Sequence, residues 1–258
     1  MSILLEEERN DVLLLTLNRP EARNALSGQL AERLAAKLES IADRRDLRAV
    51  IITGSGDKAF CAGADLKERR DMNADQKWAQ RGKLWRVNML LWRAAQPVIA
   101  AVNGFCMGGG FEMALFSDFR IAVPEAVFSF PEMSLGAYPG AGGPIALPRL
   151  IGRARAKEIL FSARRVTADE ALELGIIEDV VPGADLQDRA FALANSFKAS
   201  SPRGVAGVKR LINLGADLSI DMAGDLNDAI RRPLEASADY EEGINAFFEK
   251  RKPVFRGD

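Results

Sequence analysis

The chain has no histidine among its 258 residues, and its only cysteines are Cys61 and Cys106. Without imidazole, acid–base chemistry must fall to carboxylates, lysine, tyrosine or cysteine. Histidine-ligated metal sites and Ser–His catalytic pairs are excluded for the same reason, and we expect no metal site. Two thiols in a chain of this length are typical of a reduced protein without a disulfide framework, so we expect a cytoplasmic location.

A strong charge imbalance and a long apolar run are missing as well. The formal net charge is −1, which argues against a nucleic-acid partner. No stretch is long and apolar enough for a membrane helix, and the first residues lack the basic start and apolar run of a signal peptide. The glycines from Gly104 to Gly110 do not have the spacing of a dinucleotide-binding turn, and no Walker loop is present.

Short apolar runs instead alternate with turns and helical patterns along most of the chain. Leu30, Leu34 and Leu38 recur at helical spacing between charged residues, which predicts an amphipathic helix. A second helix is predicted at residues 111–116, after a cluster of glycines. The alternation of strand, turn and helix indicates the α/β class. The predicted strands are residues 12–17, 49–53, 97–102, 120–123 and 127–130.

Two segments depart from this alternation. Residues 66–83 are dense in charge and poor in pattern, and they are predicted to form a mobile loop or a surface helix. Residues 202–250 carry helical patterns and no convincing strand. We therefore divide the chain into an α/β core at residues 1–195 and a helical C-terminal region at residues 196–258. Such an appendage often packs on a neighbouring subunit.

Two glutamates stand beside glycine-rich turns and are the main candidates for chemistry. Glu112 follows Gly108-Gly109-Gly110-Phe111, and its other neighbours are apolar, so we expect its pKa to be raised. The alternative is a surface carboxylate that complements the helix dipole. Glu132 follows Pro131, which fixes its backbone, and precedes a second glycine-rich turn. Its alternative is a turn carboxylate that caps Gly136.

Several motifs, taken in order, resemble those of the enoyl-CoA hydratase/isomerase (crotonase) family, and the resemblance runs nearly end to end. The motifs are Asn18-Arg19-Pro20 with Asn24-Ala25-Leu26, Ala59-Phe60-Cys61-Ala62-Gly63-Ala64-Asp65-Leu66-Lys67, Ala100-Ala101-Val102-Asn103-Gly104, Gly108-Gly109-Gly110-Phe111-Glu112, Phe130-Pro131-Glu132, Pro139-Gly140-Ala141-Gly142-Gly143, and Glu242-Gly243 with Glu249-Lys250-Arg251.

The resemblance implies a crotonase-like spiral of ββα units, followed by a C-terminal helical region that builds homo-trimers, often paired into hexamers. It implies acyl-CoA thioester substrates and no cofactor beyond the coenzyme A of the substrate. The backbone N–H groups of Ala64 and Gly109 are expected to form an oxyanion hole around the thioester carbonyl. Glycines at positions 108–110 suit that role because they let backbone approach a ligand closely, although they could simply allow tight packing of a strand and a helix.

The family's two catalytic carboxylates correspond to Glu112 and Glu132, which together would hold one water, with help from the N–H of Gly140. Glu132 is expected to supply the α-proton while Glu112 acts as base on the water. Coenzyme A is expected along Ala62, Ala64, Asp65 and Leu66 and at three further positions. Ala22, with Ala62 and Ala64, would bind adenine through backbone. Lys67 would lie near the phosphates, and Lys250 would reach the 3′-phosphate from the same chain or from a neighbouring subunit. Asp65 itself is predicted to cap the following segment.

Reversible hydration of a 2-enoyl-CoA is the function that this resemblance favours. An isomerase, a thioester hydrolase and a methylglutaconyl-CoA hydratase of the same fold remain alternatives, as does a non-catalytic acyl-CoA-binding or RNA-binding scaffold. Two departures bear on the choice of substrate. The family commonly has a different sequence where this chain has Pro144-Ile145, and a small or polar residue is frequent at the position of Phe130. The two cysteines are expected to be buried thiols rather than nucleophiles.

Overall fold

Residues 2–258 are described by a computed structural model, in which two β-sheets are surrounded by helices. The large sheet has the strand order β1-β2-β3-β5-β7-β10, and the small sheet has the order β4-β6-β8-β9. Only β1–β2 and β8–β9 pair antiparallel. The strands are β1 (Leu4–Arg9), β2 (Val12–Leu17), β3 (Ala49–Gly54), β4 (Ala59–Cys61), β5 (Val98–Val102), β6 (Phe105–Met107), β7 (Phe119–Ala122), β8 (Val127–Ser129), β9 (Val166–Thr167) and β10 (Asp179–Val180).

Three successive strand pairs repeat the same arrangement. The pairs are β3–β4, β5–β6 and β7–β8, and in each pair the first strand joins the large sheet while the second joins the small one. Helices follow each pair before the next begins. This repeat is the spiral of ββα units that the family resemblance implies. The helices are α1 (Gly28–Ser40), α2 (Leu66–Arg70), α3 (Ala74–Arg93), α4 (Gly109–Leu115), α5 (Gly143–Ile151), α6 (Arg153–Ser162), α7 (Ala168–Glu173), α8 (Leu186–Ser196), α9 (Pro202–Gly215), α10 (Ile220–Glu235) and α11 (Ala238–Phe248).

The centre of the large sheet is the hydrophobic core. Every residue of β3 and β5 is buried, which fits their continuous apolar sequences, because parallel strands covered on both faces have no polar side. Helix α8 packs on these strands, and α1 packs against α3. The predicted strands agree with the structure to within a residue or so at each end, and the helix predicted at residues 111–116 begins earlier, at Gly109.

Most of residues 66–83 are helical, so the surface-helix alternative was closer than the loop. They form α2, a three-residue link at 71–73, and the first half of α3, which runs on to Arg93. Asn73 starts α3 with a capping box, in which its side chain accepts from the N–H of Gln76 and the Gln76 side chain accepts from the N–H of Asn73. Helix α3 brings one face of its side chains to the glycine-rich turns.

The last part of the chain is helical, as predicted, and α9, α10 and α11 contain few buried residues. Helix α9 is tied to the core by Lys209, whose Nζ lies 2.6 Å from the carboxylate of Asp118 and donates to the carbonyls of Leu91 and Gln96. The division of the chain at residue 195 stays a prediction. Among residues 2–258, no helix is long and apolar enough to cross a membrane.

Candidate active site

Two glycine turns meet where the small sheet gives way to helices. The first lies at Gly63 and Ala64 after β4, and the second lies at Gly108 and Gly109 between β6 and α4. A Cβ placed on Gly63 would lie 3.2 Å from the nitrogen of Gly109, and one on Gly109 would lie 3.6 Å from the nitrogen of Ala64. Gly63 has a φ of +93°, which favours glycine. The two turns therefore bring backbone nitrogens from distant parts of the chain side by side.

The N–H groups of Ala64 and Gly109 donate to no acceptor within residues 2–258, although the neighbouring backbone is well bonded. The N–H of Leu26 donates to the carbonyl of Gly63, and that of Asp65 donates to the carbonyl of Leu26. Gly109 is the first residue of α4, where N–H groups have no partner inside the helix and the helix dipole is positive. Two adjacent donors of this kind can stabilise negative charge on a bound oxygen atom.

Glu132 lies against the second turn. It is on a short 3₁₀ helix, Pro131–Leu135, and a Cβ on Gly108 would lie 2.4 Å from Glu132 Oε1. Gly108 also has a φ of +50°, so glycine is required there for conformation and for space. Glu132 Oε2 is buried and has no hydrogen-bond partner among residues 2–258. The site therefore contains an acceptor that no group among residues 2–258 satisfies.

Glu112 approaches from the first turn of α4 and is held firmly. Its Oε1 accepts from the N–H groups of Ala141 and Gly143, each at 2.8 Å. The residue is only 2% exposed, so the alternative of a surface carboxylate was wrong. The alternative for Glu132 was wrong as well, because the N–H of Gly136 is capped by the backbone carbonyls of Glu132 and Met133 rather than by a carboxylate.

Both carboxyl groups titrate above their ordinary range. Burial and, to a smaller extent, the negative charge of Glu132 raise the pKa of Glu112 to about 7, against the opposing hydrogen bonds from Gly143 and Ala141. Burial also raises the pKa of Glu132. The raised pKa expected for Glu112 is thus confirmed. A carboxyl that changes protonation near neutral pH, as Glu112 does, is suited to passing a proton in either direction.

The loop that holds Glu112 is itself anchored by α3. Asn88 is buried, and its Nδ2 donates to the carbonyl of Ala141 at 2.7 Å. Arg81 Nε donates to the carbonyl of Gly140 at 2.6 Å. Sequence reasoning missed both residues, because they lie in or beside a segment that was interpreted as a loop or surface helix, and nothing local to them indicates a partner so far along the chain.

The N–H of Gly140 was expected to help hold a water. In the structure this N–H donates to no acceptor within residues 2–258, while the N–H groups of the next residues, Ala141 and Gly143, bind Glu112 directly. Gly140 lies beside the site, and its role stays a prediction. The donors at positions 141 and 143 are site residues that the sequence motif contained but that sequence reasoning did not single out.

The segments expected to bind coenzyme A also run side by side. The N–H of Ala62 donates to the carbonyl of Arg23, which places Ala22 and Ala62 on adjacent strips of backbone, and Leu26 bridges to Ala64. Leu66 is exposed and begins α2 together with Lys67. Lys250 follows α11, and no hydrogen bond or ion pair within residues 2–258 joins its side chain to these segments. The role of Lys250 in binding coenzyme A stays a prediction.

Asp65 caps α2, as predicted, by accepting from the N–H groups of Lys67 and Glu68. It also binds Arg19, whose Nη2 lies 2.8 Å from Asp65 Oδ2. Burial opposes ionisation of this carboxyl, but the bonds from Arg19 and from the helix hold its pKa below the usual value. The carboxylate of Asp65 is therefore occupied in fixing the turn that presents Ala64.

The unusual Phe130 is a core residue rather than part of an open pocket. It is fully buried, it stacks on Phe111 with 4.6 Å between ring centroids, and a Cβ on Gly143 would lie 2.8 Å from its ring. It therefore supports the loop that binds Glu112. Pro144 and Ile145 are exposed in the first turn of α5. Cys61 and Cys106 are buried, and burial raises the pKa of Cys61 to about 12, so the expectation of inert thiols is confirmed.

Two sheets joined by ββα repeats, with paired backbone donors beside two buried carboxyls, define a protein of the crotonase class. A model of the enoyl-CoA hydratase/isomerase family matches residues 7–258. A crystal structure of an enoyl-CoA hydratase from Bacillus anthracis superposes with a TM-score of 0.96 at 38% identity, covering 100% of both chains. The chain therefore belongs to the enoyl-CoA hydratase/isomerase family.

Similar sequences agree with this assignment. YngF of Bacillus subtilis, whose own enoyl-CoA hydratase/isomerase assignment is provisional, is 43% identical over 256 residues, which cover 99% of this chain and 98% of YngF. The short-chain-enoyl-CoA hydratase of Clostridium acetobutylicum is 39% identical over 254 residues, which cover 97% of this chain and 96% of that enzyme.

Proposed function

We propose that this chain is an enoyl-CoA hydratase, which reversibly adds water across the C2=C3 double bond of a 2-enoyl-CoA thioester. The observation that carries the proposal is the pair of carboxyl groups with raised pKa beside two unpartnered N–H groups. Hydration needs a proton taken from water at C3 and a proton delivered at C2. Two carboxyls around one water can perform both transfers.

In this mechanism the thioester carbonyl accepts hydrogen bonds from the N–H groups of Ala64 and Gly109. These bonds polarise the conjugated double bond and stabilise the charge that develops on the carbonyl oxygen when water adds at C3. Glu112, oriented by Ala141 and Gly143, takes the proton of the water. Glu132 supplies the proton to C2, and its unpartnered Oε2 is available to bind the water.

The same proposal assigns the coenzyme A moiety to the strip formed by Ala22, Ala62, Ala64, Asp65 and Leu66, with Lys67 close to the phosphates. Backbone on this strip is fixed by the Asn24 side chain, which donates to the carbonyls of Ser55 and Ala59. Homo-trimers or hexamers, and a contribution of Lys250 across subunits, are part of the proposal. The cytoplasmic location and the absence of a nucleic-acid partner stay predictions from the sequence.

An isomerase is the nearest alternative, because moving a double bond shifts a proton along the chain and one carboxylate can suffice. The two hydrogen bonds that orient Glu112 favour hydration over that alternative, since they fix a second carboxylate in place. The relatives include named hydratases, such as the crotonyl-CoA hydratase of Syntrophomonas wolfei at 37% identity. Their substrates differ, so they support the reaction rather than a particular acyl group.

Incubation with purified enoyl-CoA thioesters in ¹⁸O-labelled water separates the candidate reactions. A hydratase places one ¹⁸O on the acyl chain of an intact thioester, a hydrolase places it in a free acid, and an isomerase incorporates none. Mass spectrometry of the products distinguishes these three outcomes. Unlabelled thioester products from every enoyl-CoA would overturn the proposal.

Glutamine variants test the assigned carboxyls. Glu112→Gln and Glu132→Gln keep the shape of the side chain but remove proton transfer, so each should lower kcat by about a hundred- to ten-thousandfold. Glu241→Gln, at an exposed position on α11, is the matched control and should retain the wild-type rate. Normal hydration by Glu112→Gln alongside inactive Glu132→Gln would contradict the mechanism and support an isomerase or hydrolase.

A further inference from the structure

Arg81 stands at the site without a role in the reaction described above. Its Nε donates to the carbonyl of Gly140, at the start of the loop that holds Glu112, and its positive charge acts on the Glu112 carboxyl. Leu84, one turn further along α3, reaches Gly109, where a Cβ would meet Leu84 Cδ2 at 2.9 Å. Arg81 and Leu84 are separated by about 4.5 Å along the helix axis, so their side chains reach neighbouring parts of the site.

The guanidinium group of Arg81 is held in place while part of it stays unused. Its central carbon lies 5.1 Å from the ring of Trp78 and 5.6 Å from the ring of Trp85. Its Nη1 and Nη2 donate to no acceptor within residues 2–258, and no carboxylate there forms an ion pair with it. Arg120, by contrast, forms an ion pair with Glu178. The terminal nitrogens of Arg81 are therefore available to a ligand.

A carboxylate is the group that such an arginine binds best. The planar guanidinium donates two parallel hydrogen bonds to the two oxygens of a carboxylate, and the geometry selects this partner over a neutral oxygen. The indole rings of Trp78 and Trp85 attract the cation through their faces and so help to hold the guanidinium in place. Glu112 does not provide this partner, because its Oε1 already accepts from Ala141 and Gly143.

We propose that Arg81 binds a carboxylate at the far end of the acyl group, so that the preferred substrates are short 2-enoyl-CoA thioesters with a second carboxylate. This inference rests on the proposed function. With the thioester carbonyl at Gly109 and the reacting carbons at the two glutamates, the acyl chain continues towards the Gly140 loop. A carboxylate a few bonds beyond C3 then meets the terminal nitrogens of Arg81.

Two substrates of similar length test the proposal, namely 4-carboxy-2-butenoyl-CoA, which carries the carboxylate, and 2-hexenoyl-CoA, which does not. The wild-type chain should give a kcat/KM at least about tenfold higher for the carboxylated substrate, as expected for a charge-assisted pair. Arg81→Gln should reduce this preference by about ten- to a hundredfold. Rates on 2-hexenoyl-CoA should fall by a smaller factor, because the bond to Gly140 is lost for both substrates.

Arg81→Lys separates charge from geometry, since lysine keeps the charge but lacks the planar pair of donors; it should recover part of the preference. Arg86→Gln removes an exposed arginine from the same helix and should leave the preference unchanged. A wild-type preference for 2-hexenoyl-CoA would overturn the proposal. Equal losses on both substrates in Arg81→Gln would overturn it too, because Arg81 would then only position the loop.

Equilibrium binding distinguishes failure of this inference from failure of the proposed reaction. Saturated glutaryl-CoA and hexanoyl-CoA can be titrated calorimetrically into wild type and Arg81→Gln, with no chemistry involved. Tighter binding of glutaryl-CoA that depends on Arg81 supports the inference even if neither enoyl-CoA is hydrated. Equal affinities of the two ligands in wild type would overturn it even if hydration is observed.

Discussion

Helices α4 and α9 both follow a turn and both carry apolar side chains, yet all seven residues of α4 are buried and none of α9 is. Helix α4 has no polar face apart from Glu112, so the fold must enclose it on every side, and the carboxyl is buried with it. Helix α9 is amphipathic, and Val208 and Ile212 are 59% and 65% exposed. Helix α4 is covered by residues of the same chain, whereas α9 presents an apolar stripe that residues 2–258 leave uncovered.

The difference shows which region is formed by contacts within one chain and which has apolar surface left for a partner. Around α4, close contacts between glycines and carboxylates define a site within a single chain. Around α9 to α11, large apolar side chains such as Phe247 and Phe248 remain 78% and 77% exposed. Exposed apolar patches of this kind mark surfaces that associate with another protein. A second copy of this chain is the partner that the proposed trimer supplies.

The largest effect is expected from substitutions on the exposed face of α9. Replacing Val208 and Ile212 together by glutamate should dissociate the proposed trimer or hexamer into single chains, because charge would have to be buried in the interface. Light scattering measures the mass directly. Leu5→Glu changes an apolar side chain of the α/β core that is 43% exposed, and it should leave the mass unaltered. A wild-type protein that is already a monomer at micromolar concentration contradicts the assembly.

A second change acts on the α4 side. Gly109→Pro removes one of the two N–H groups at the first residue of a helix, where proline is tolerated, so the fold should survive. We expect kcat to fall by about a hundred- to a thousandfold, which is typical for the loss of one oxyanion donor. Gly109→Ala is the control, since it adds a Cβ 2.9 Å from the terminal Cδ2 of Leu84 but keeps the donor. Equal losses in both variants would point to crowding instead.

Because Glu112 is buried together with α4, the rate of hydration should depend on pH. Because the pKa of Glu112 is raised to about 7, the ionised base is depleted below that pH. The kcat/KM for hydration should therefore fall by about tenfold per pH unit on the acid side.

The raised pKa of Glu112 also makes the free energy of unfolding depend on pH, because the folded chain binds this proton more tightly than the unfolded chain. The stabilisation is complete below the ordinary carboxyl pKa and is lost as the pH rises to about 7.

Chemical denaturation of the wild type and Glu112→Gln across this range checks the linkage. The free energy of unfolding of the wild type should decline relative to that of the variant between the ordinary glutamate pKa and about 7. A constant difference between the two proteins over that window would show that the Glu112 carboxyl titrates normally.

The smallest effect compares one substitution in the two regions. Gly224 lies inside α10, and a Cβ there meets nothing within 4 Å, so Gly224→Ala should stabilise the chain by about 0.5–1 kcal/mol through helix propensity. Gly110→Ala would place a Cβ 2.4 Å from the carbonyl oxygen of Cys61 and should destabilise the fold. Thermal unfolding of both variants measures the two changes in stability. Destabilisation by Gly224→Ala would show that the surface around residue 224 is covered.

Sequence reasoning reached the parts of this fold whose patterns are local. The strand at residues 12–17 is apolar and closed by a turn, and it lies where it was predicted. Helix α3 was predicted only as an alternative to a loop, and only as far as residue 83, because its buried face includes the polar residues Gln80 and Asn88. Each of these makes a hydrogen bond to another element, so neither side chain is costly inside. The buried apolar residues of α3, which are Leu84, Val87 and Leu91, all lie beyond residue 83. The capping box at Asn73 and Gln76 was the signal that could have found it.

The candidate site divides in the same way. Glu112 and Glu132 follow glycine or proline motifs, so sequence alone indicated them. Their partners in the fold, such as Asn88 for the loop and Gly143 for Glu112, depend on contacts between residues far apart in the chain. Such contacts arise only when the ββα repeats stack, and no short stretch of sequence encodes them.

The unpartnered oxygen of Glu132 has a consequence for inhibitor design. A buried acceptor without a hydrogen bond typically costs about 1–3 kcal/mol, and a ligand that places an O–H or N–H donor against Oε2 would recover much of it. An otherwise identical compound lacking that donor should bind about ten- to a hundredfold more weakly. Selectivity for this chain over thioester-binding proteins without such a carboxyl could therefore be built into one polar atom of a small molecule.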